Sequence, residues 1–70
     1  MAGAPRLGTV TDFDEARGLG TISASGGELL PFHCTQIADG SRSIAIGTAV
    51  RFRLEPGHLG HWEAAAIAPV

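Results

Sequence analysis

The sequence predicts an all-β fold, namely a small five-stranded antiparallel barrel. Its 70 residues contain five short segments in which apolar and β-branched residues recur, and none of them has a convincing helical pattern. Ten glycines, about twice the usual share, supply turn signals between the segments. A barrel is favoured over a flat sheet because closure removes exposed strand edges.

Polar or glycine-containing turns separate the predicted strands. Gly26 and Gly27 indicate a hairpin before the third strand. Pro31 favours an edge, a bulge or a strand end there, because proline has no N–H to donate to a ladder. A long connection, residues 35–47, then precedes the fourth strand. The predicted strand ranges are Leu7–Phe13, Leu19–Ser23, Glu28–His33, Thr48–Leu54 and Trp62–Ala68.

The fourth segment has the clearest alternation in the chain. Val50, Phe52 and Leu54 fall on one side of a strand, whereas Arg51 and Arg53 fall on the other. The two arginines therefore share an exposed face, which is either a solvated surface or a modest phosphate track. The fifth segment is rich in alanine, but it is too short for a stable isolated helix, so a strand is predicted.

Length and composition restrict the class of protein. Seventy residues allow one small domain, predicted at 6–70 after a short tail at 1–5. The 44% hydrophobic and 17% charged residues exclude a disordered chain. No apolar run approaches the roughly 18 residues that cross a membrane, and the first six residues lack the apolar stretch of a signal peptide. A cytoplasmic location without a membrane partner is therefore expected.

The sequence contains no pattern typical of an active site. It has no carboxylate pair, nucleophile–base pair or phosphate-binding glycine loop, so neither an enzyme nor a small-molecule substrate is expected. The single cysteine, Cys34, excludes an internal disulfide and is predicted to be a buried, inert thiol. His58 and His61 are too few ligands for a metal site, so no metal or other cofactor is predicted.

The charge balance is unusual for a protein that binds phosphates. All five basic residues are arginines, and seven acidic residues leave a net charge of −2. Proteins that depend on phosphate contacts usually carry a basic field. Any phosphate contact in this chain must therefore come from a local arginine patch.

Four segments, in order, resemble the cold-shock domain. Residues 8–22, GTVTDFDEARGLGTI, match the family pattern G-x-V-K-W-F-N-x-x-K-G-F-G-F-I without a gap. Residues 32–37, FHCTQI, resemble V-H-F-S-A-I, and residues 47–54, GTAVRFRL, resemble the family's fourth strand. Residues 60–67, GHWEAAAI, resemble its closing G-P-x-A-x-x-V, with about one extra residue. The resemblance implies an OB-type barrel of five strands, which agrees with the independent strand count.

The same resemblance implies binding of single-stranded RNA or DNA through aromatic rings on which bases stack. Each stacked base contributes roughly 1–3 kcal/mol. Fewer rings imply weaker binding with little sequence preference, dominated by charge. Six family ring positions carry other residues in this chain: Asp12, Leu19, Thr21, Pro31, Cys34 and Ser41.

Five residues form the predicted nucleic-acid contact: Phe13, Arg17, His33, Arg42 and Trp62. Phe13 either stacks on a base or fills the end of the barrel. Arg17 either holds a phosphate or is a solvated turn residue, and Arg42 enters by analogy with a loop lysine of the family. His33 either contacts the ligand or is a half-exposed histidine without one. Trp62 either replaces a lost stacking ring or covers the barrel mouth.

A second reading of the sequence is a barrel that no longer binds nucleic acid. The substituted face is less aromatic and no more basic than the family's, and such a surface suits a protein partner or a homodimer. The chain is then a protein-interaction or self-associating module. The two readings differ in whether a single-stranded oligonucleotide binds at low salt.

Overall fold

The computed structural model describes residues 5–57 and 60–70. Four of the five residues of the predicted tail, and His58, lie outside these ranges. Each predicted strand is confirmed, with ends that differ by one or two residues. The strands are β1 (Arg6–Asp14), β2 (Leu19–Ala24), β3 (Leu29–His33), β4 (Ala49–Pro56) and β5 (Trp62–Pro69), with a 3-10 turn at Cys34–Gln36.

The five strands form one antiparallel sheet in the order β3–β2–β1–β4–β5. Pro31 therefore lies on an edge strand, as predicted, where its missing N–H does not break a central ladder. The chain after β3 returns to β5 at a parallel bridge between Ile37 and Ile67, and the Ala38 N–H donates to the Ile67 carbonyl at 2.7 Å. Because no ladder joins β3 to β5, closure into a barrel stays a prediction.

The core lies on one face of the sheet and follows the strand alternation. Val50 and Phe52 are fully buried and Leu54 is half-buried, whereas Arg51 and Arg53 are exposed, which confirms the predicted alternation of β4. On the other strands the fully or nearly buried side chains are those of Val10, Ile22, Ala24, Leu30, Phe32, Ala64, Ala65 and Ile67. None of the described residues belongs to a helix long and apolar enough to span a membrane.

An extra residue in β1 changes which side chains face the core. Val10 pairs with Ile22 and Asp12 pairs with Thr21, so Thr11 has no partner and forms a bulge. After a bulge the alternation of inward and outward side chains shifts by one residue. Val10 and Phe13 consequently face inward, and Asp12 faces outward.

A second bulge, in β5, places an alanine in the left-handed region. Phe52 lies opposite both Ala66 and Ile67, and Ala66 has a φ of 51°. This conformation costs an L-residue about 1–2 kcal/mol, and glycine avoids that cost. Part of the gain is offset because glycine gives the unfolded chain more conformational entropy. We expect Ala66→Gly to raise the free energy of unfolding by about 0.5–1 kcal/mol, measured by urea denaturation.

The matched control for this substitution is Ala68→Gly in the same strand. Ala68 is not among the residues with positive φ, so glycine there relieves no strain and only raises the conformational entropy of the unfolded chain. We expect it to lower the free energy of unfolding by about 0.5–1 kcal/mol. Equal destabilisation by both substitutions would contradict strain at Ala66.

Candidate nucleic-acid interface

The outer face of β1, β2 and β3 corresponds to the predicted binding surface. Residues paired across the three strands form rows on this face, and their side chains are exposed or half-exposed. These described rows contain two carboxylates and no tryptophan, phenylalanine or tyrosine ring, although the resemblance implies such rings here; the imidazole of His33 is their one aromatic group. The three rows are Thr9–Ser23–Leu29, Asp12–Thr21–Pro31 and Asp14–Leu19–His33.

Arg17 projects from the turn between β1 and β2. The Asp14 carboxylate accepts hydrogen bonds from the backbone N–H groups of Ala16 and Arg17, at 3.0 and 3.3 Å, and so fixes this turn. Gly18 ends the turn in the left-handed region with a φ of 67°. The Arg17 side chain is 76% exposed, and its Nε lies 3.9 Å from an Asp14 carboxylate oxygen. Such an exposed pair is weak and leaves the guanidinium able to bind another anion.

Arg42 follows a second turn of the same kind in the long connection. The Asp39 carboxylate accepts the backbone N–H of Ser41 at 2.9 Å, and Gly40 takes a φ of 81°. This hydrogen bond holds the pKa of the Asp39 carboxyl below its ordinary value, so Asp39 stays ionised at neutral pH. The turn at Asp39–Ser41 leaves Arg42 exposed.

The two turns meet at one surface depression of about 390 Å³, which we call the arginine depression. Arg17 and Arg42 line it, with the hydroxyl-bearing residues Thr35 and Ser41 and the carboxylate-bearing Glu15. The Cys34 N–H donates to the Gly18 carbonyl at 2.8 Å, which holds the end of β3 beside the first turn. Two arginines separated by 25 positions in sequence thus line the same depression, and arginine side chains are suited to bind a phosphate.

Phe13 belongs to the interior more than to the surface. Its half-buried ring stacks on the buried ring of Phe32, with centroids 5.9 Å apart and planes at 15°. This contact corresponds to the packing role that the sequence left open. The ring's accessible side lies in a second depression, of about 690 Å³, together with Ile44 and Ile46 and the acidic Asp12.

Trp62 lies away from the arginine depression, at the start of β5. It pairs with Pro56 and its side chain is 51% exposed. It lines a third depression, of about 410 Å³, which we call the tryptophan depression and which Leu29 and Pro31 of β3 also line. The ring is therefore accessible on a different part of the surface from Arg17.

His33 and Cys34 lie where β3 ends. His33 is exposed on the outer face, opposite Leu19. Cys34 begins the 3-10 turn and packs partly against the core, but it also lines the arginine depression. The prediction of a buried thiol is therefore wrong in part: Cys34 is half-buried because the strand ends at His33. Residues 5–57 and 60–70 contain no group of three or more potential metal ligands.

The structure places Arg17 and Arg42 in the lining of one depression and Phe13 and Trp62 in the linings of two others. His33 lines none of the three, although the next residue, Cys34, lines the arginine depression. Thr35 and Ser41 are contributors to the arginine depression that sequence reasoning missed. The turn residues around Gly40 were the sequence signal that could have indicated Ser41, because they form the turn that includes it.

No protein-family model matches the chain, and no curated protein is significantly similar to it. The functional interpretation therefore depends on the geometry described above.

Proposed function

We propose that this protein binds single-stranded RNA or DNA, weakly and with little sequence preference, through an OB-type barrel of the cold-shock kind. The observation that carries this proposal is the convergence of Arg17 and Arg42 on one depression. Guanidinium groups bind phosphate oxygens in two-pronged fashion, and neighbouring hydroxyls add further hydrogen bonds. The one-sheet arrangement of five antiparallel strands is compatible with the barrel.

Phosphate contact supplies most of the affinity in this proposal. The described rows on the outer face of β1–β3 carry the imidazole of His33 and no larger ring, so stacking contributes little there. A complex held by phosphate contacts weakens steeply as salt rises, because binding releases counterions from the strand. The net charge of −2 opposes a phosphate contact at the arginine depression only weakly, because charges more than about 10 Å away are largely screened at 0.1 M salt.

Replacing one arginine of the depression tests the site. We expect Arg17→Ala and Arg42→Ala each to weaken binding of a labelled single strand of about 12 nucleotides, similarly for all sequences. Each substitution should reduce the slope of log affinity against log salt by about 0.7, the value for one lost phosphate contact on a single strand. Fluorescence anisotropy over a salt series measures both effects.

Arg51→Ala is the matched control, because it removes the same charge from an exposed position on β4. It should leave the slope nearly unchanged. An equal loss for Arg51→Ala would indicate diffuse attraction rather than a site. Absence of binding by the unaltered protein at low salt would overturn the proposed function.

A protein-binding module is the second candidate, and one depression favours it. The surface beside Phe13 combines an apolar floor with an acidic rim, and Ile46 there is 63% exposed. Such a surface suits a basic segment that carries an apolar side chain. Light scattering over a concentration series distinguishes a homodimer from a monomer that needs an external partner. The lining residues are Asp12, Phe13, Asp14, Glu15, Ile44 and Ile46.

A further inference from the structure

Trp62 differs from the other aromatic residues in its exposure. The sequence has one tryptophan, three phenylalanines and no tyrosine. Phe32 and Phe52 are fully buried, and Phe13 is half-buried against Phe32. Trp62 is 51% exposed, so among the tryptophan and phenylalanine rings it is the most accessible to a base.

The tryptophan and arginine depressions lie at opposite ends of β3. Pro31 lines the first and Cys34 lines the second. At a strand rise of about 3.3 Å per residue, these residues are roughly 10 Å apart. His33 lies between them in sequence and is exposed on the outer face of β3. The exposed side chains of Pro31 and His33 therefore lie between the two depressions.

The exposed carboxylates of β1 disfavour a path across that strand. Asp12 and Asp14 expose carboxylates on the outer face of β1 and repel phosphates there. Glu28 also lines the tryptophan depression, and its carboxylate is hydrogen-bonded to the guanidinium of Arg6. This contact lowers the pKa of the Glu28 carboxyl, so the pair is ionised and its charges offset each other.

We propose that a single strand lies along β3, with one unpaired base stacked on Trp62 and a phosphate of the same strand held by Arg17 and Arg42. This inference rests on the proposed function and specifies the strand's path and its one base-binding position. The stacking position lies at the edge of the sheet rather than on the outer face of β1 and β2. Leu29 and Pro31 supply the apolar surface on which the stacked base rests.

Such a two-part site requires a minimum ligand length. A mononucleotide reaches only one of the two depressions. Stacked nucleotides advance about 3.4 Å each along one strand, so about four nucleotides reach from the tryptophan depression to the arginine depression. Joining two weak contacts in one ligand raises affinity more than either contact alone. Affinity should therefore rise steeply between one and about four nucleotides and only gradually beyond that length.

A length series with variants of Trp62 tests the proposal. The probes are a mononucleotide and uniform single-stranded oligonucleotides of increasing length, each carrying a fluorescent label. The indole fluorescence of Trp62 reports binding to the unaltered protein, and the anisotropy of the label measures affinity for the unaltered protein and for both variants. Since the chain has one tryptophan, any change in indole emission reports on this position. Trp62→Leu keeps an apolar side chain without the extended ring, whereas Trp62→Phe keeps a smaller ring. Circular dichroism checks that both variants fold.

We expect oligonucleotides of four or more nucleotides to change the indole emission. Trp62→Leu should weaken their binding by about fivefold to a hundredfold, the equivalent of one stacked base. Trp62→Phe should restore part of the loss, and the salt slope should stay unchanged in both variants because no phosphate contact is removed.

The outcomes separate this inference from the proposed function. If Arg17→Ala lowers the salt slope but Trp62→Leu binds as tightly as the unaltered protein, the strand does not use Trp62. The inference is then overturned and the proposed function stands. If the unaltered protein binds no oligonucleotide of any length, both fail.

Discussion

Introducing two rings on the outer face, by Asp12→Trp together with Thr21→Phe, is expected to increase affinity for single-stranded oligonucleotides at least about thirtyfold. The two residues are directly paired across β1 and β2 and face outward, so two rings there would form one continuous platform. Stacked bases contribute about 1–3 kcal/mol each, and two of them at the lower limit give about 2 kcal/mol. Removal of the Asp12 carboxylate adds to the gain.

The control variant replaces the same residues with leucine. Asp12→Leu with Thr21→Leu removes the carboxylate and adds apolar area without supplying a ring. Affinities of both double variants are measured by fluorescence anisotropy at one salt concentration, after thermal unfolding has shown that both fold. An equal gain for the two variants would assign the effect to charge, and no gain for either would mean that the strand avoids this face.

Replacing Gly20 by alanine is expected to lower the free energy of unfolding by about 2–3 kcal/mol, because it overpacks the core. A Cβ at Gly20 would lie 2.6 Å from Cε1 of the Phe32 ring and 2.8 Å from the backbone carbonyl oxygen of Asp12. The ring cannot retreat easily, since Phe32 is buried and stacks on Phe13. For a chain of this size the whole free energy of unfolding is about 4–10 kcal/mol, so a large part of it would be lost.

Gly26→Ala is the matched control for this prediction. Its Cβ would meet the carboxylate end of Glu28 at 2.9 Å, and a flexible exposed side chain can move away. We expect a change within about 0.5 kcal/mol, measured by the same urea denaturation. A loss at Gly20 no larger than that at Gly26 would show that Phe32 repacks without strain.

The strands and turns were predictable because their signals are local. The alternation of Val50, Arg51 and Phe52 predicts an inner and an outer face of β4, and the structure has both. Gly40 predicts a turn in the long connection, and it adopts a φ of 81°. In each case the residues whose pattern predicts the strand or turn are neighbours in sequence and belong to that same strand or turn.

The inward position of Phe13 was not predictable from alternation. A regular strand that buries Val10 also turns Asp12 inward and Phe13 outward. The bulge at Thr11 shifts this pattern by one residue, so Phe13 packs on Phe32 and Asp12 is exposed. The alternation of residues within β1 does not reveal the bulge. The bulge arises from pairing with β2, in which no residue lies opposite Thr11.

The sequence by itself determined the five strands, the turns between them, the absence of an internal disulfide and a net charge of −2 that gives no overall basic field. These properties follow from composition and from periodicity within short segments. Only the tertiary structure decided that Arg17 and Arg42 line one depression and that Trp62 lies exposed at the other end of β3. Distant residues meet only when strand register and loop paths are set together, and these depend on packing over the whole sheet.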